Sequence, residues 1–112
     1  METITIAQEL LDTGRQLRKG AQEIFNSAKA KAETERDYRV ALAREIMTLK
    51  ENKLPVSVIN DVARGNTADL KYKRDLADAK YTASREALNS LQAQASALQT
   101  VIKFYKDLEG NQ

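Results

Sequence analysis

Cysteine, histidine and tryptophan are absent from this 112-residue sequence. Without cysteine there is no disulfide framework and no thiol nucleophile, and without histidine the commonest general base and metal ligand is missing. The four glycines are isolated from one another, so the chain has no glycine-rich loop of the kind that binds phosphate. We therefore predict a non-enzymatic protein with no catalytic residue, no metal site and no cofactor.

Long apolar runs are also absent, and no stretch approaches the roughly 18 apolar residues of a membrane span. The N-terminal segment METITIAQELLD carries acidic residues where a signal peptide has basic ones. We expect a cytoplasmic protein without a membrane partner. With 30% charged and 42% hydrophobic residues and a net charge of +2, the chain is too apolar to be disordered. We predict one domain, residues 1–112.

Proline and glycine are scarce, and their positions divide the chain. Pro55 and Gly65 bracket its centre and leave two arms of similar length. Arm one is predicted over about residues 5–52, because Thr5 and Gln8 have the spacing of a capping box and Pro55 prevents continuation of the helix.

The bend, residues 53–65, is predicted to contain a short helix over 55–64, with Gly65 as the left-handed residue after it. Arm two is predicted over about residues 66–108, with Asn66 or Thr67 as its N-cap.

Both arms show the three-and-four spacing of a heptad seam, which we call the inner seam. In arm one it comprises Leu10, Gly14, Leu17, Ala21, Ile24, Ala28, Tyr38, Leu42 and Leu49, and is interrupted by Lys31 and Glu35. In arm two it comprises Leu70, Ala77, Tyr81, Ser84, Leu88, Leu91, Ala95, Leu98, Ile102 and Tyr105, and is interrupted by Arg74.

These seams predict an all-α fold, an antiparallel coiled-coil helical hairpin with a short helix at the bend. The alignment that opposes large and small residues pairs Leu49 with Leu70, and it therefore pairs Tyr38 with Tyr81 and Ala28 with Leu91.

A second stripe follows arm two beside a stretch without charge, Ala87 to Ile102. It comprises Ala83, Ala87, Gln94, Ala97, Val101, Phe104 and Leu108. We interpret it as the interface of a homo-oligomer, with a dimer expected, in which two hairpins form a helical bundle. The alternative is an exposed, neutral face rich in Gln and Ser.

Basic residues gather around the bend. They are Lys50, Lys53, Arg64, Lys71, Lys73 and Arg74, which we call the basic bend. They are candidate contacts to a protein partner or to nucleic acid. Only Tyr72 supplies an aromatic ring for stacking on bases, so a soluble tip of the hairpin is the favoured interpretation.

The segments RVALAREIMTLKENKLPVSVINDVARGN and ADLKYKRDLADAKYTASREALNSLQ resemble small uncharacterised helical proteins of bacteriophages and prophages of Gram-positive bacteria. The likeness covers about residues 38–105. It implies a phage accessory protein in the host cytoplasm, acting on host machinery or phage DNA metabolism, and it assigns no functional residue.

Together, these patterns favour a protein–protein interaction module that binds itself and an unidentified protein. Its role would be to inhibit a host defence factor or to act as an adaptor in phage DNA metabolism. Two alternatives stay open: a nucleic-acid-binding accessory protein that uses the basic bend, and a scaffolding coiled coil of a virion.

Overall fold

The computed structural model describes residues 2–110, and these form three α-helices. They are α1 (Glu2–Glu51), α2 (Val56–Asn66) and α3 (Ala68–Gly110). The described chain is 95% helical and contains no strand. The prediction of an all-α hairpin with a short helix at the bend is confirmed. The chain divides into two compact units: unit 1 combines Met1–Phe25 with Ala83–Gln112, and unit 2 is Asn26–Thr82.

The inner seam of α3 is present as predicted. Within residues 68–110 eleven positions are half-buried and all others are exposed; the eleven are Leu70, Arg74, Ala77, Tyr81, Ser84, Leu88, Leu91, Ala95, Leu98, Ile102 and Tyr105. No residue of α3 is fully buried. Only a single narrow stripe of α3 is therefore in contact with the rest of the protein, and most of the surface of this helix is exposed.

In α1 the seam is present with two corrections in unit 1, the first being that Thr13, absent from the predicted seam, is buried. Ala21 is exposed, and the neighbouring Gly20 takes its place. A Cβ atom added to Gly20 would lie 3.0 Å from Cδ1 of Leu88. The close approach of the two helices explains the exchange, because Leu88 fills the space above a residue without a side chain.

The predicted register is wrong by about one heptad. In unit 2, Tyr38 faces Arg74 instead of Tyr81, and Tyr81 faces Lys31. In unit 1, Leu88 lies against Gly20, whereas the predicted alignment places Leu88 against Lys31. These residues of α3 therefore meet α1 earlier than expected, by seven positions at Arg74 and Tyr81 and by about eleven at Leu88.

The core of unit 2 explains this shift. Leu49 does not pair with Leu70 but packs with Ile59 and Ala63 of α2, and all three are buried. Leu42, Ile46 and Leu54 surround them. Full burial of a large aliphatic side chain contributes roughly 1.5–3 kcal/mol. Because α2 covers the last heptad of the α1 seam, α3 begins its pairing one heptad further back.

The end of α1 has the hydrogen bonds of a Schellman motif. The amide of Leu54 donates to the carbonyl of Leu49 at 3.3 Å, and the amide of Lys53 donates to that of Lys50 at 3.0 Å. Lys53 occupies the left-handed position with a φ of 61°, although a side chain is disfavoured there. Leu54 completes the motif by packing beside Leu49.

Three local predictions at the helix ends are wrong. Thr5 does not cap α1, because the helix already begins at Glu2. The carboxylate of Glu2 interacts favourably with the positive end of the helix dipole. Gly65 is helical and is not left-handed, because α2 continues to Asn66. Asn66 is not the N-cap of α3, because it ends α2 and its side-chain amide donates to a carboxylate oxygen of Glu45 at 2.7 Å; Thr67, the other predicted residue, directly precedes α3.

A single residue, Thr67, joins α2 to α3. Its backbone amide donates to the carbonyl of Ala63 at 3.1 Å, and its own carbonyl accepts from the amide of Lys71 at 3.1 Å. The buried hydroxyl also donates to Ala63, at 2.8 Å. With its backbone in a bridging conformation, Thr67 turns the chain without a left-handed residue.

The change Lys53→Gly should stabilise the protein by about 0.5–1 kcal/mol, because glycine adopts the left-handed conformation without the steric cost of a Cβ atom. Urea unfolding followed by circular dichroism measures the difference. The control is Lys50→Gly, which replaces a residue inside α1 and should be destabilising by a similar amount. Equal effects of the two changes would contradict this account of Lys53.

Candidate functional site

The second stripe of α3 is exposed along its whole length. Among its apolar members, Val101 is 39% exposed, Phe104 60% and Leu108 49%. Ala83, Ala87, Gln94 and Ala97 are exposed as well. All seven lie in unit 1. The hairpin alone therefore leaves three neighbouring large apolar side chains in water.

Ser90 belongs to this stripe and was missed by the sequence prediction. With it, the spacing alternates between four and three residues from Ala83 to Leu108 without a break, and Ser90 is exposed like the others. The heptad spacing was the signal that could have identified Ser90, which was overlooked because its side chain is polar. We call the eight positions the outer seam; they are residues 83, 87, 90, 94, 97, 101, 104 and 108.

The first helix carries exposed apolar residues that the sequence prediction also missed. Ile4, Leu11 and Phe25 are 64%, 63% and 66% exposed. Their separations of seven and fourteen residues place them on one stripe of α1, and this heptad spacing was the available signal. Arg18 lies between Leu11 and Phe25 at the same spacing of seven residues, so the stripe is interrupted by charge.

Near the outer seam, the side chain of Tyr105 contacts Phe104 on its own helix and Glu2 on α1. Tyr105 stacks edge-on with Phe104 at a centroid distance of 6.0 Å. Its hydroxyl donates a hydrogen bond to the carboxylate of Glu2, which raises the pKa of Tyr105 above its usual value. An open groove of about 490 Å³ lies here, lined by Glu2, Thr5, Ile6 and Tyr105.

Unit 2 contains a cluster of charged and aromatic residues between α1 and α3, which we call the polar layer. Lys31 pairs with Asp78 at 3.1 Å and lies 4.9 Å above the ring centroid of Tyr81. Glu35 accepts from Arg39 at 2.7 Å. The two residues that interrupt the α1 seam are thus matched by side chains of opposite charge.

Arg74 is the centre of the polar layer. Its guanidinium lies 4.5 Å from the ring centroid of Tyr38 and 3.6 Å from a carboxylate oxygen of Glu35. A hydrogen bond to Asp75 raises the pKa of Arg74 above its usual value, and the charges of Asp75 and Glu35 act in the same direction against desolvation. Arg74 is half-buried and paired inside the hairpin, which makes it the least accessible of the six residues of the basic bend.

The other five members of the basic bend are exposed. Lys50 lies in the last turn of α1, Lys53 follows it, and Arg64 lies in the last turn of α2. Lys71 and Lys73 belong to the first turns of α3. Tyr72 between them is 67% exposed. The bend thus presents cations and one aromatic ring, separated by the acidic residues Glu51, Asp61 and Asp69.

Beside the polar layer lies an open groove of about 330 Å³, lined by Ala28, Lys31, Ala32, Glu35 and Tyr81. The charged groups in its wall are paired, Lys31 with Asp78 and Glu35 with Arg39 and Arg74. Residues 2–110 contain no group of three or more carboxylates arranged to hold a metal ion. None of the helices in this part of the chain combines the length and the apolar character needed to cross a membrane.

Comparison of the chain with protein-family models, curated proteins and solved structures finds no match.

The change Arg74→Ala should lower the melting temperature by about 3–6 °C, because Tyr38 loses its cover and Glu35 its partner across the hairpin. The melting temperature of Arg74→Lys should lie between those of the wild type and Arg74→Ala, since an ammonium lacks the planar guanidinium that stacks on a ring. The control is Lys73→Ala, an exposed neighbour, which should leave the melting temperature unchanged. If all three variants melt with the wild type, the polar layer does not contribute to stability.

Proposed function

We propose that this protein is a non-enzymatic interaction module that binds other helices through the outer seam of α3. The carrying observation is the exposure of Val101, Phe104 and Leu108 on one stripe, beside residues 87–102, which contain no charged residue. Elsewhere the exposed faces of α1 and α3 are rich in Lys, Arg, Asp and Glu. Exposed apolar stripes of this kind are typical of interaction surfaces.

The first partner in this proposal is a second copy of the chain. Burial of each large apolar side chain contributes roughly 1.5–3 kcal/mol when complete, and the three are already partly covered. Association costs about 4–15 kcal/mol in lost freedom. Three residues from each copy therefore support a dimer of moderate, concentration-dependent stability.

The wider role follows from the resemblance to phage and prophage proteins. We propose a phage accessory protein of the host cytoplasm that binds a host or phage protein. The basic bend is available for such a contact, because its five exposed cations lie outside unit 1, which carries the outer seam.

A second candidate function, nucleic-acid binding, is supported by the same five cations and by exposed Tyr72. Phosphate contacts would make binding fall steeply as the salt concentration rises. Binding to a labelled duplex and a single strand, at two salt concentrations, separates this candidate from the first. The three acidic residues among the cations make it the less favoured.

The double change Val101→Lys and Phe104→Lys should convert the dimer to a monomer, because four cations would enter the interface of two copies. Light scattering over a range of protein concentrations measures the mass, and circular dichroism should retain most of the helix signal.

The matched control is Leu11→Lys with Phe25→Lys, which places the same charges at two exposed apolar positions of α1 in the same unit. This variant should remain dimeric. A wild type that is monomeric at high micromolar concentration would overturn self-association. Loss of the dimer in the control alone would transfer the interface to α1.

A further inference from the structure

The outer seam is graded in size from one end to the other. Its first three positions carry small side chains, its middle two Gln94 and Ala97, and its last three the large apolar ones. All eight are exposed and none is charged. A partner that fills this surface must therefore present large residues at one end and small ones at the other.

A second copy of α3 meets this requirement when it runs antiparallel. With the centre of symmetry between Gln94 and Ala97, each small position faces a large one of the other copy. The facing pairs are Ala83 with Leu108, Ala87 with Phe104, and Ser90 with Val101. A single register forms all of these pairs, because the separations along the outer seam (alternately four and three residues) are the same in either chain direction.

A parallel pair would place Phe104 on Phe104 and Ala87 on Ala87. The first contact would be overpacked and the second would leave a gap, and both are unfavourable in a packed interface. We infer that the occupant of the outer seam is a second copy of this chain, docked antiparallel about the midpoint between Gln94 and Ala97. The inference rests on the proposed function and specifies its partner and geometry.

The interface is small. Residues 83–108 span about 38 Å of helix, and burying a third of the circumference of two helices amounts to roughly 1,000 Å². This value is at the lower limit for specific association. The pairing is isologous, so each favourable contact occurs twice.

Two acidic residues border the interface and oppose it. Glu86 and Asp107 each immediately precede a position of the outer seam and are exposed. In the antiparallel register Glu86 lies beside Asp107 of the second copy, offset by about 3 Å along the axis. Residues that flank a helix–helix seam determine partner orientation through their charges, and here two like-charged pairs weaken the dimer.

Single cysteines test the geometry against a clean background, because the chain has none of its own. Ser90→Cys and Val101→Cys are mixed and oxidised mildly, and the products are separated by mass. The mixed disulfide should form at least tenfold more than either disulfide between identical variants. Identical residues of the two copies lie about 16 Å apart along the axis, too far for a disulfide.

The outcomes separate the inference from the proposed function. Disulfides between identical variants would indicate a parallel pair and overturn the geometry while the function stands. Equal or absent crosslinking in a protein that light scattering shows to be dimeric would also overturn it. A monomeric wild type would overturn the proposed function itself.

Charge reversal gives an independent measurement. Glu86→Lys should lower the dissociation constant of the dimer about fivefold at low salt, because both flanking pairs become attractive. Glu51→Lys makes the same change of charge in unit 2 and should leave the constant unchanged. No gain over this control would show that Glu86 does not face Asp107, and the antiparallel register would be wrong.

Discussion

The contact on which the hairpin depends lies between Leu49, near the end of α1, and the buried face of α2. Ile59 and Ala63 complete this small core, and the Schellman motif at Lys53 directs the chain into it. Because α2 occupies the last heptad of the α1 seam, the start of α3 must pair further back. The polar layer then agrees with that register, since Lys31 and Glu35 meet Asp78 and Arg74.

The inner seam and the outer seam of α3 differ in the side chains that they present to a neighbouring helix. The inner seam is a narrow stripe in which large residues are spread along the whole length of α3, but no residue of α3 is fully buried by it. The outer seam carries fewer large residues, grouped at one end, and no charge. A helix with two such seams is suited to a bundle, in which each helix contacts two neighbours.

The periodicity of α3 was readable from the sequence because a heptad seam depends only on local spacing. The register was not, because alternation of large and small residues repeats with the heptad and fits more than one alignment. The choice depends on whether Leu49 meets α3 or α2, and that contact is tertiary. The contacts of Arg74 were not predictable for a similar reason, since only the pairing of the helices brings Tyr38 and Glu35 to it.

The distribution of buried residues also has a consequence for the order of folding. Of the seven buried residues among 2–110, six lie in unit 2 and Thr13 lies in unit 1; the contacts around the bend join residues close in sequence, so they close short loops at a small entropic cost. The contact between Thr3 and Glu109 joins residues 106 positions apart. Closure from the bend towards the two termini is therefore the order with the smaller entropic cost, because the contacts of unit 1 join residues far apart in the sequence.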